Sequence, residues 1–424
     1  MTPTLNPPME VNLRTSPDHV GMRLNPEVKT ATLKLLNYCE AERWAGYDPY
    51  DALNSRVFER IPLLNSRLPR LVMTQALKRS PINLRRVACV PKMQNPKALA
   101  LILSALLKLE SGGVVERAGL IESLIDLLIE LRSPDSKYSC WGYSFPWQSR
   151  KVIVARYAPN VVCTTFVAAA LLDAYQQHKD ERCLSLALSA AEYMRNDLYW
   201  EDDQKAGFSY PMPGLRTETH NASLMGAALL CRIAHLTGEG EFLDPALKIA
   251  RYTASKQNAN GSWYYGELDS QRWIDNFHSG YNLTAFRQIR DYAATDEFDE
   301  NVRRGFDFYR AHFVREDGVA RYFHDKTYPI DIHAVAQSIL TLVEFRDLDA
   351  GNAELARSVF RWAMEHMWND KGFFYYRVLR TCTIRTSYMR WSQAWMLLAL
   401  ASLLLDSDGV GEQLSSALAV ARSH

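Results

Sequence analysis

The chain repeats a pair of helical patterns along most of its length, and this repeat constrains the fold more than any other feature. Apolar residues recur at i, i+3, i+4 and i+7, a spacing that predicts helices. One helix of each pair is rich in Ala and Leu nearly all round, whereas its partner is amphipathic. An apolar helix is buried and an amphipathic helix faces solvent, so each pair predicts an inner and an outer helix. The predicted inner helices begin near Pro96, Asn160, His220, His278, His333 and Tyr388.

Successive starts of the inner helices lie 64, 60, 58, 55 and 55 residues apart, a spacing typical of repeat architectures. Six inner helices ringed by outer ones predict an all-α fold, the (α/α)6 toroid of six helical hairpins. We expect residues 28–424 to form this single domain and residues 1–27, rich in Pro and polar side chains, to form an extended arm. Predicted helices at Glu27–Glu42 and near Glu412–Arg422 would close the ring as outer partners. An open helical solenoid is the alternative.

Composition excludes several classes of protein. With 49 basic and 48 acidic residues and 47% hydrophobic residues, the chain is neither disordered nor basic enough to bind nucleic acid through bulk charge. No apolar run is long enough to span a bilayer, and the N-terminus lacks the apolar core of a secretion signal. The seven cysteines are scattered without a Cys-x-x-Cys pair, which favours reduced thiols. We therefore expect a cytoplasmic protein without a nucleic-acid partner; a homo-oligomer is possible.

Each joint, the segment that leads from an outer helix to the next inner helix, carries a polar turn and then a cluster of aromatic residues. Turns such as Asp-Gly, Asn-Gly and Lys-Gly before aromatic residues predict short β-hairpins or tight loops. Every joint lies at the end of the toroid where the inner helices begin. The 21 Tyr and 10 Trp residues are therefore predicted to gather at one mouth.

Candidate catalytic residues lie at or near the starts of the inner helices. A helix N-terminus presents unpaired N–H groups and a positive dipole end, which lower the pKa of a nearby His and favour a neutral base. Three histidines occupy matching starts, so their side chains are expected to point toward a shared cavity. The predicted catalytic residues are His220, His278, His333, Tyr281, Tyr388, Asp275, Asp331 and Glu267.

The same mouth is predicted to bind substrate. Helix N-termini and Arg side chains favour an anionic group, while Trp and Tyr faces beside polar side chains suit pyranose rings. The predicted partner is a sugar or oligosaccharide, which we expect to be anionic. The predicted binding residues are Trp141, Tyr143, Trp147, Gln148, Arg150, Asn160, Trp263, Tyr265, Asn282, Gln337, Arg385, Arg390 and Trp391.

Most of these signals also have a structural interpretation. A His at a helix start can cap the helix, joint aromatics can plug the end of the barrel, and Arg side chains can pair with loop carboxylates. Asp48 and Asp51 lie in a predicted loop, where a capping role and a catalytic role are equally compatible with the sequence. No His-x-x-x-His pair supports a metal site, so we expect neither a metal nor another cofactor.

Two resemblances add to this interpretation. The stretch Gln257-x-x-x-Gly261-x-Trp263 resembles the QxxxGxW repeat of squalene-type cyclases, which are toroids of helical hairpins, although their Asp-x-Asp-Asp motif is absent. The zinc ligands of protein prenyltransferases are absent as well. Nearly the whole chain resembles a group of proteins encoded among bacterial exopolysaccharide and surface-glycan genes. That resemblance lies in GYDPYDALNS, SPINLR, NPKALAL, CWGYSFPWQSR, PNVVCTTF, WIDNFHSGYNL and RWSQAW.

The leading hypothesis is an enzyme of surface-polysaccharide metabolism that abstracts a proton from an acidic or acetamido sugar, as epimerases and lyases do. By analogy of fold, similar toroids occur in N-acylglucosamine 2-epimerases, glucuronyl epimerases, polysaccharide lyases and unsaturated glucuronyl hydrolases. In this hypothesis Arg385 or Arg390 binds the carboxylate and His278 or His333 is the base. Tyr281 or Tyr388 is then the opposing acid, and Trp141, Trp147 and Trp263 form the sugar platform.

Three alternatives remain open at this stage. An inverting glycoside hydrolase needs two carboxyl groups roughly 6.5–9.5 Å apart, for which Glu267, Asp275 and Asp331 are the candidates. A non-catalytic glycan-binding or assembly protein predicts aromatic residues without a titratable group at the centre of the mouth. An isoprenoid cyclase predicts an aromatic cavity capped by an acidic residue and lacking the Arg cluster.

Overall fold

The computed structural model describes residues 24–148 and 152–406, and over these ranges the chain is mainly helical. None of the described helices combines the length and the apolarity needed to cross a bilayer. The described α-helices are α1 (Pro26–Ala41), α2 (Val57–Arg60), α3 (Arg67–Arg79), α4 (Pro96–Ser111), α5 (Ala118–Glu130), α6 (Val161–His178), α7 (Glu181–Tyr193), α8 (His220–Thr237), α9 (Leu243–Ser255), α10 (Asn276–Ala293), α11 (Asp299–Phe313), α12 (Ile332–Glu344), α13 (Asn352–Met367) and α14 (Ala394–Asp406).

Six of these helices form a closed inner ring. Helices α4, α6, α8, α10, α12 and α14 each pack against the next, and α14 packs against α4. Most residues of α4 and α8 are buried, as their patterns rich in Ala and Leu predict. Helices α1, α5, α7, α9, α11 and α13 form the outer layer, with α1 packed against α14. The predicted (α/α)6 toroid is therefore confirmed.

The predicted starts of the inner helices agree with the structure to within two residues, except at the last one. There a π-helical turn, Met389–Gln393, separates Tyr388 from α14. The predicted outer helix at Glu27–Glu42 corresponds to α1. Residues 1–23, which make up most of the predicted arm, lie outside the described residues, as does the predicted helix near Glu412–Arg422.

The strands are two to four residues long and lie in or beside the joints. Most pair as antiparallel two-stranded ribbons, and β10 lies between β7 and β11. The described strands are β1 (Ala45–Gly46), β2 (Met93–Gln94), β3 (Trp147–Gln148), β4 (Ile153–Val154), β5 (Tyr199–Asp202), β6 (Lys205–Phe208), β7 (Ile330–Asp331), β8 (Trp368–Asn369), β9 (Phe373–Phe374), β10 (Arg377–Val378) and β11 (Thr383–Ile384).

One backbone hydrogen bond recurs between neighbouring joints and defines the repeat unit. The first residue of an inner segment donates its N–H to the carbonyl of a tyrosine in the following joint, at 2.9–3.2 Å. The donor and acceptor pairs are His220 and Tyr265, Asn276 and Tyr322, Ile332 and Tyr376, and Met389 and Tyr47. The last pair joins the end of the chain to its beginning. Each unit is therefore an outer helix, a joint and an inner helix, and α1 with α4 is the first unit.

A glycine in the polar turn of three joints packs against the next outer helix. Gly261, Gly318 and Gly372 have φ of +90°, +85° and +88°. A Cβ added there would lie 2.2–2.7 Å from a carbonyl oxygen of α11, α13 and α1, respectively. Only glycine satisfies both the left-handed backbone and this close approach. The third contact shows that α1 follows α13 in the outer layer, so this layer closes as well.

The first unit departs from the others by an insertion between β1 and β2. We call residues 47–92 the cover segment, because it lies against the mouth near α4 and the turn before α14. It contains α2 and α3, and Asn54 donates to the backbone oxygen of Ser144 in the next joint at 3.0 Å. A buried ion pair between Asp48 and Arg390 anchors it to the turn before α14, and a second buried pair, between Asp51 and Arg85, lies within the segment.

Candidate active site at the aromatic mouth

Five joint tyrosines surround the mouth, and we call them the mouth tyrosines. They are Tyr143, Tyr210, Tyr265, Tyr322 and Tyr376. Burial raises the pKa of each phenol, to about 12 for Tyr210, so all five stay protonated at neutral pH. The phenol of Tyr50, on the cover segment, adds to this rise in four of them. Tyr50 also packs edge-on against Trp391 at the mouth, with ring centroids 5.6 Å apart.

The three candidate histidines are not in register. Relative to the recurrent joint bond, His220 is the first residue of its inner helix, His333 the second and His278 the third. Each step along a helix turns the side chain by about 100°, so the three rings point in different directions. The structure brings His278 and His333 to the centre of the mouth and turns His220 away from it. The expectation of three matching positions was therefore wrong.

His333 lies at the centre of an aromatic cluster. Its ring is stacked between Phe277 and Trp395, with centroids 4.5 and 4.7 Å away. Its Nε2 is 2.6 Å from the phenol oxygen of Tyr281 on α10. Burial, helped by the nearby cations Lys97 and Arg390, lowers the pKa of His333 well below 6.5. The neutral ring accepts a hydrogen bond from the phenol at Nε2. Its Nδ1 is buried without a partner in the described structure.

His278 forms a carboxylate–histidine pair with Asp275, the N-cap of α10. One carboxylate oxygen of Asp275 accepts the His278 backbone N–H at 3.0 Å. The other lies 2.8 Å from Nδ1 of the ring and 3.1 Å from the indole nitrogen of Trp273. With its proton held on Nδ1, the imidazole presents Nε2 as a base. The His278 side chain is 20% exposed, which makes it the more accessible of the two central histidines.

Asp331 is fully buried and its carboxylate is saturated with hydrogen bonds. Arg377 donates twice to one oxygen, and the backbone of His333 and the indole of Trp391 donate to the other. Burial opposes the positive charge of Arg377, but the Asp331 carboxylate outweighs this and raises the arginine pKa. Asp331 therefore positions His333 and Trp391 and has no oxygen left for substrate.

Lys97, at the start of α4, belongs to the same cluster. Its ammonium nitrogen lies 3.9 Å from the ring centroid of Phe166, 5.2 Å from Trp395 and 5.6 Å from Tyr281. Burial and the nearby charge of Arg390 lower the pKa of Lys97 well below 10.5. Aromatic faces stabilise the cation only in part. Lys97 is therefore a further group able to gain or lose a proton at the mouth.

Arg390 is buried among aromatic rings, and a carboxylate from the cover segment occupies its guanidinium. Asp48 accepts from Nε at 2.7 Å and from Nη2 at 2.9 Å. Burial disfavours the charge of Arg390, but Asp48 overcomes this and raises its pKa. The guanidinium also lies 5.0–5.5 Å from the rings of Tyr143, Phe145 and Trp391. A carboxylate thus occupies the place that the sequence predicted for an anionic substrate.

His220 and Glu267 form a separate pair beside this centre. Nε2 of His220 lies 2.8 Å from a carboxylate oxygen of Glu267, and this hydrogen bond lowers the pKa of the carboxyl group. The Glu267 side chain is 26% exposed. Among the three predicted catalytic carboxylates, Glu267 is the one that solvent reaches.

A narrow crevice opens between the N-terminal ends of α8 and α10. It is too narrow to admit a water molecule. His278, Asn221 and Asn282 line it, and both asparagine Oδ1 atoms are buried without a partner in the described structure. Unpaired buried acceptors are unfavourable unless a donor fills them, and sugar hydroxyls are such donors.

Several predicted binding residues have structural roles. Trp141 is fully buried and donates from its indole to the Leu128 carbonyl, so it cannot serve as a sugar platform. Trp263 is also buried and donates to Thr253, although its edge lines the crevice. Asn160 is the N-cap of α6 and accepts from the backbone of Cys163. Each of these two indoles therefore hydrogen-bonds the outer helix that precedes its own joint.

The remaining predicted residues lie around the mouth. Tyr388 packs against Tyr376 and beneath Arg85 of the cover segment, and Gln337 donates to Thr341 on its own helix. Arg385 is exposed and lies over Tyr375. Trp147 and Gln148 form β3, and the Gln148 side chain bonds the backbone of the cover segment. Arg150 lies outside the described residues.

The described part of the chain holds no group of three His, Cys, Asp or Glu side chains placed to bind a metal ion. Four residues of the site were not predicted from the sequence, namely Lys97, Phe166, Asn221 and Tyr50, and the sequence left the role of Asp48 open. Lys97 could have been found by aligning the start of α4 with the starts of the other inner helices. No sequence signal indicated that Tyr50 reaches the mouth, because the insertion interrupts the repeat.

Comparison with known proteins extends only to the fold. No protein-family model matches the chain, and no curated protein matches its sequence. Cellobiose 2-epimerase from Bacillus thermoamylovorans B4167 is similar in structure, with a TM-score of 0.59, 11% identity and coverage of 89% of this chain and 99% of that one. The glycoside hydrolase family 76 mannosidase Bt3792 from Bacteroides thetaiotaomicron VPI-5482 gives 0.57, 12%, 90% and 99%. Unsaturated glucuronyl hydrolase from Streptococcus agalactiae gives 0.56, 12%, 90% and 93%. At such identities the similarity shows a shared (α/α)6 toroid.

Proposed function

We propose that the chain is a carbohydrate-active enzyme of surface-polysaccharide metabolism that transfers protons at an acidic or acetamido sugar. The reaction is an epimerisation or an elimination, and we expect it to occur in the cytoplasm. The observation that carries the proposal is the 2.6 Å contact between Tyr281 and His333, with His278 one helical turn from Tyr281. Three proton-carrying groups thus meet where the inner helices begin.

A sugar substrate is supported by the chemistry of the mouth. The four half-buried mouth tyrosines provide apolar faces with polar edges, which suit pyranose rings; they are Tyr143, Tyr210, Tyr265 and Tyr322. Asn221 and Asn282 offer acceptor oxygens that lack a protein partner among the described residues. The names of the three structural neighbours describe enzymes that act on sugars, and these proteins share the same architecture.

An anionic sugar is supported by the pairing of Arg390. The bidentate contact with Asp48 has the geometry with which a guanidinium binds a sugar carboxylate. Because Asp48 of the cover segment occupies the Arg390 guanidinium, a sugar carboxylate can reach Arg390 only if the cover segment moves. That movement would withdraw Asp48 and Tyr50 together, so a uronate carboxylate could pair with Arg390 in place of Asp48.

The proton transfers follow from these positions. His278, oriented by Asp275, removes the proton next to the sugar carboxylate, and the electron pair of the broken C–H bond delocalises into that carboxylate. In an epimerisation Tyr281 donates its phenol proton to the opposite face of the same carbon. In an elimination the electron pair instead forms a double bond and expels the linked sugar, whose oxygen Tyr281 protonates. The positive charge of Arg390, which favours the ionised form of Tyr281, stabilises the phenolate that either step leaves.

The other hypotheses account for the site less well. An inverting hydrolase needs an acid and a base, but Asp275 and Asp331 are both buried and held by hydrogen bonds, which leaves Glu267 alone. A non-catalytic binding protein does not require titratable groups at the centre of the mouth. A cyclase cavity for a carbocation is disfavoured by Arg390 among the mouth aromatics.

The test is a panel of uronate oligosaccharides and N-acetylhexosamines incubated with the full chain in deuterated water. Deuterium on a ring carbon without cleavage identifies an epimerase, and ultraviolet absorbance of an unsaturated product identifies a lyase. We expect Tyr281→Phe to slow either reaction about 100-fold, within the usual range for general acid catalysis. Tyr375→Phe, at the joint surface, is the matched control and should retain activity.

Release of reducing ends without deuterium on carbon and without an unsaturated product would instead identify a hydrolase and overturn the proposal. Equal rates for Tyr281→Phe and the native chain would remove the assigned acid. Thermal unfolding of both variants, compared with that of the native chain, checks that they keep the native fold.

A further inference from the structure

The cover segment carries a charge that the rest of the chain does not share. Residues 47–92 contain nine basic and three acidic residues, a net charge of +6 in a chain of +1. Two of the three acidic residues, Asp48 and Asp51, are buried in ion pairs with Arg390 and Arg85. Glu59 is then the one acidic side chain that the cover segment exposes. Its outer surface is therefore strongly basic.

The same surface exposes large aliphatic side chains. Of the twelve large hydrophobic residues exposed in the described structure, seven lie between residues 61 and 87. They are Ile61, Leu63, Leu68, Val72, Ile82, Leu84 and Val87. Leu63 and Val87 are 85% and 81% exposed, which is unusual for side chains of this size.

Helix α3 shows the pattern most clearly. Of its thirteen residues only Leu77 is buried, while Leu68 and Val72 point outward one turn apart. The helix carries two Arg residues in its first turn and Lys78 and Arg79 in its last, without an acidic residue. Basic helices that expose aliphatic residues are typical of surfaces that bind at a lipid–water interface.

An anionic bilayer accounts for both halves of the pattern. Basic side chains near anionic headgroups contribute about 1 kcal/mol each, and aliphatic side chains bury themselves at the acyl boundary. Nucleic acid would satisfy the charge alone. Single-stranded nucleic acid is bound by stacking on aromatic residues, and the one aromatic residue between 56 and 92 is Phe58, which is buried.

The ends of the chain lack the charge to occupy this surface. Residues 1–23 contain two acidic and two basic residues, and residues 407–424 contain two acidic and one basic. Neither segment offers the cluster of negative charge that a surface with eight exposed or half-exposed basic side chains would attract.

We propose that the exposed face of the cover segment, residues 56–92, docks on the surface of an anionic phospholipid bilayer. Docking would place the edge of the mouth next to α4 beside the lipid headgroups. The inference concerns an interaction surface and does not depend on the reaction at the mouth. It holds or fails independently of the proposed function.

The experiment is co-sedimentation of the full chain with vesicles of phosphatidylcholine, with and without one third phosphatidylglycerol. We expect binding to the anionic vesicles at low salt, release at molar salt, and little binding to neutral vesicles. Arg60→Gln/Arg79→Gln/Arg86→Gln should weaken binding roughly 100-fold, since three such charges are removed. Arg303→Gln/Arg315→Gln/Arg361→Gln removes the same charge from the outer surface and should change binding by less than about twofold.

A second set of variants tests the aliphatic half. Leu63→Ser/Leu68→Ser/Val87→Ser should weaken binding to the anionic vesicles by about 10-fold or more, whereas Leu348→Ser, exposed between α12 and α13, should not. Equal binding by the two arginine variants, or no binding by the native chain, overturns the proposal. So does a native dimer in size-exclusion chromatography that the three Ser substitutions dissociate, because the occupant would then be a second copy.

Discussion

Asp275 and Asp331 place the two central histidines by capping the helices that carry them. Each carboxylate accepts a backbone N–H in the first turn of an inner helix and also holds side chains from a neighbouring element. A buried carboxylate that accepts several hydrogen bonds is fixed in position. The acidic residues of the mouth thereby serve the orientation of His278 and His333.

The stability of the protein should depend on pH through His333. The folded pKa lies well below 6.5, so between the two values the unfolded chain binds a proton that the folded chain does not. The free energy of unfolding therefore falls as pH drops below about 6.5, by up to about 1.4 kcal/mol per pH unit. Denaturant unfolding at several pH values should show a shallower acid slope for His333→Gln than for the native chain.

His366→Gln, an exposed histidine on α13, is the control for this measurement and should keep the native slope. Parallel slopes for His333→Gln and the native chain between pH 7 and about 5 would contradict the account, because they would mean that His333 is protonated in the folded state.

At the residue scale the sequence predicted identities better than directions. His278, Tyr281 and His333 were recognised from their places at helix starts, and the structure brings them together. Trp141 was placed at the mouth because it follows an outer helix, but its indole turns back toward α5. One residue of register turns a helical side chain by about 100°, and the hydrophobic pattern does not fix register so finely.

At the scale of secondary-structure elements, the joints close the toroid by linking neighbouring helices. Their recurrent backbone bond links each inner helix to the following joint, and their turn glycines contact the next outer helix. Gln257 of the cyclase-like motif bonds the backbone of Gly261 and of Asn301 on α11. This motif therefore links neighbouring outer helices, and that role does not depend on the reaction at the mouth.

We expect Gly261→Ala to lower the free energy of unfolding by about 3 kcal/mol or more. The new Cβ meets the Arg304 carbonyl and the residue keeps a left-handed φ, so steric overlap adds to backbone strain of about 1–2 kcal/mol. Gly238→Ala has a similar φ of +78° with no atom within 4 Å of the new Cβ, and should lower it by about 1 kcal/mol. Equal losses in the two variants by denaturant unfolding would refute the contact with α11.

The helices could be predicted because apolar residues recur along them at helical spacing. The cover segment could not be predicted in this way. The starts of α4 and α8 follow from the runs rich in Ala and Leu that come after Asn95 and Thr219. The cover segment exposes aliphatic residues and buries charged ones, including Arg85 and Asp51. Patterns based on burial cannot place such a segment, since the usual relation between polarity and exposure is reversed there.

As a whole molecule the protein is a ring, and its two ends meet. Helix α1 packs against α14, and the backbone of Met389 bonds Tyr47. In an open solenoid the terminal repeats contact one neighbour and fray first. Closure gives the first and last units the same number of neighbours as the others.

Hydrogen exchange should therefore protect the amides of α1 and α14 about as strongly as those of α8 and α10. Closure removes the terminal positions at which local opening is easiest. Mass spectrometry of peptides from native exchange measures this directly. Exchange of α1 that is faster than that of α8 by several orders of magnitude would mean that the seam opens and the molecule behaves as a solenoid.

The central claim is that the mouth transfers protons at a sugar carbon and that His278 is the base. Its most direct test is the rate of deuterium incorporation into a uronate substrate in deuterated water, compared for the native chain, His278→Gln and the control His366→Gln. The account predicts incorporation by the native chain and the control, and a loss of about 100-fold or more in His278→Gln. Equal incorporation by His278→Gln and the native chain, or cleavage of the sugar by the native chain with no deuterium on carbon and no unsaturated product, would contradict it.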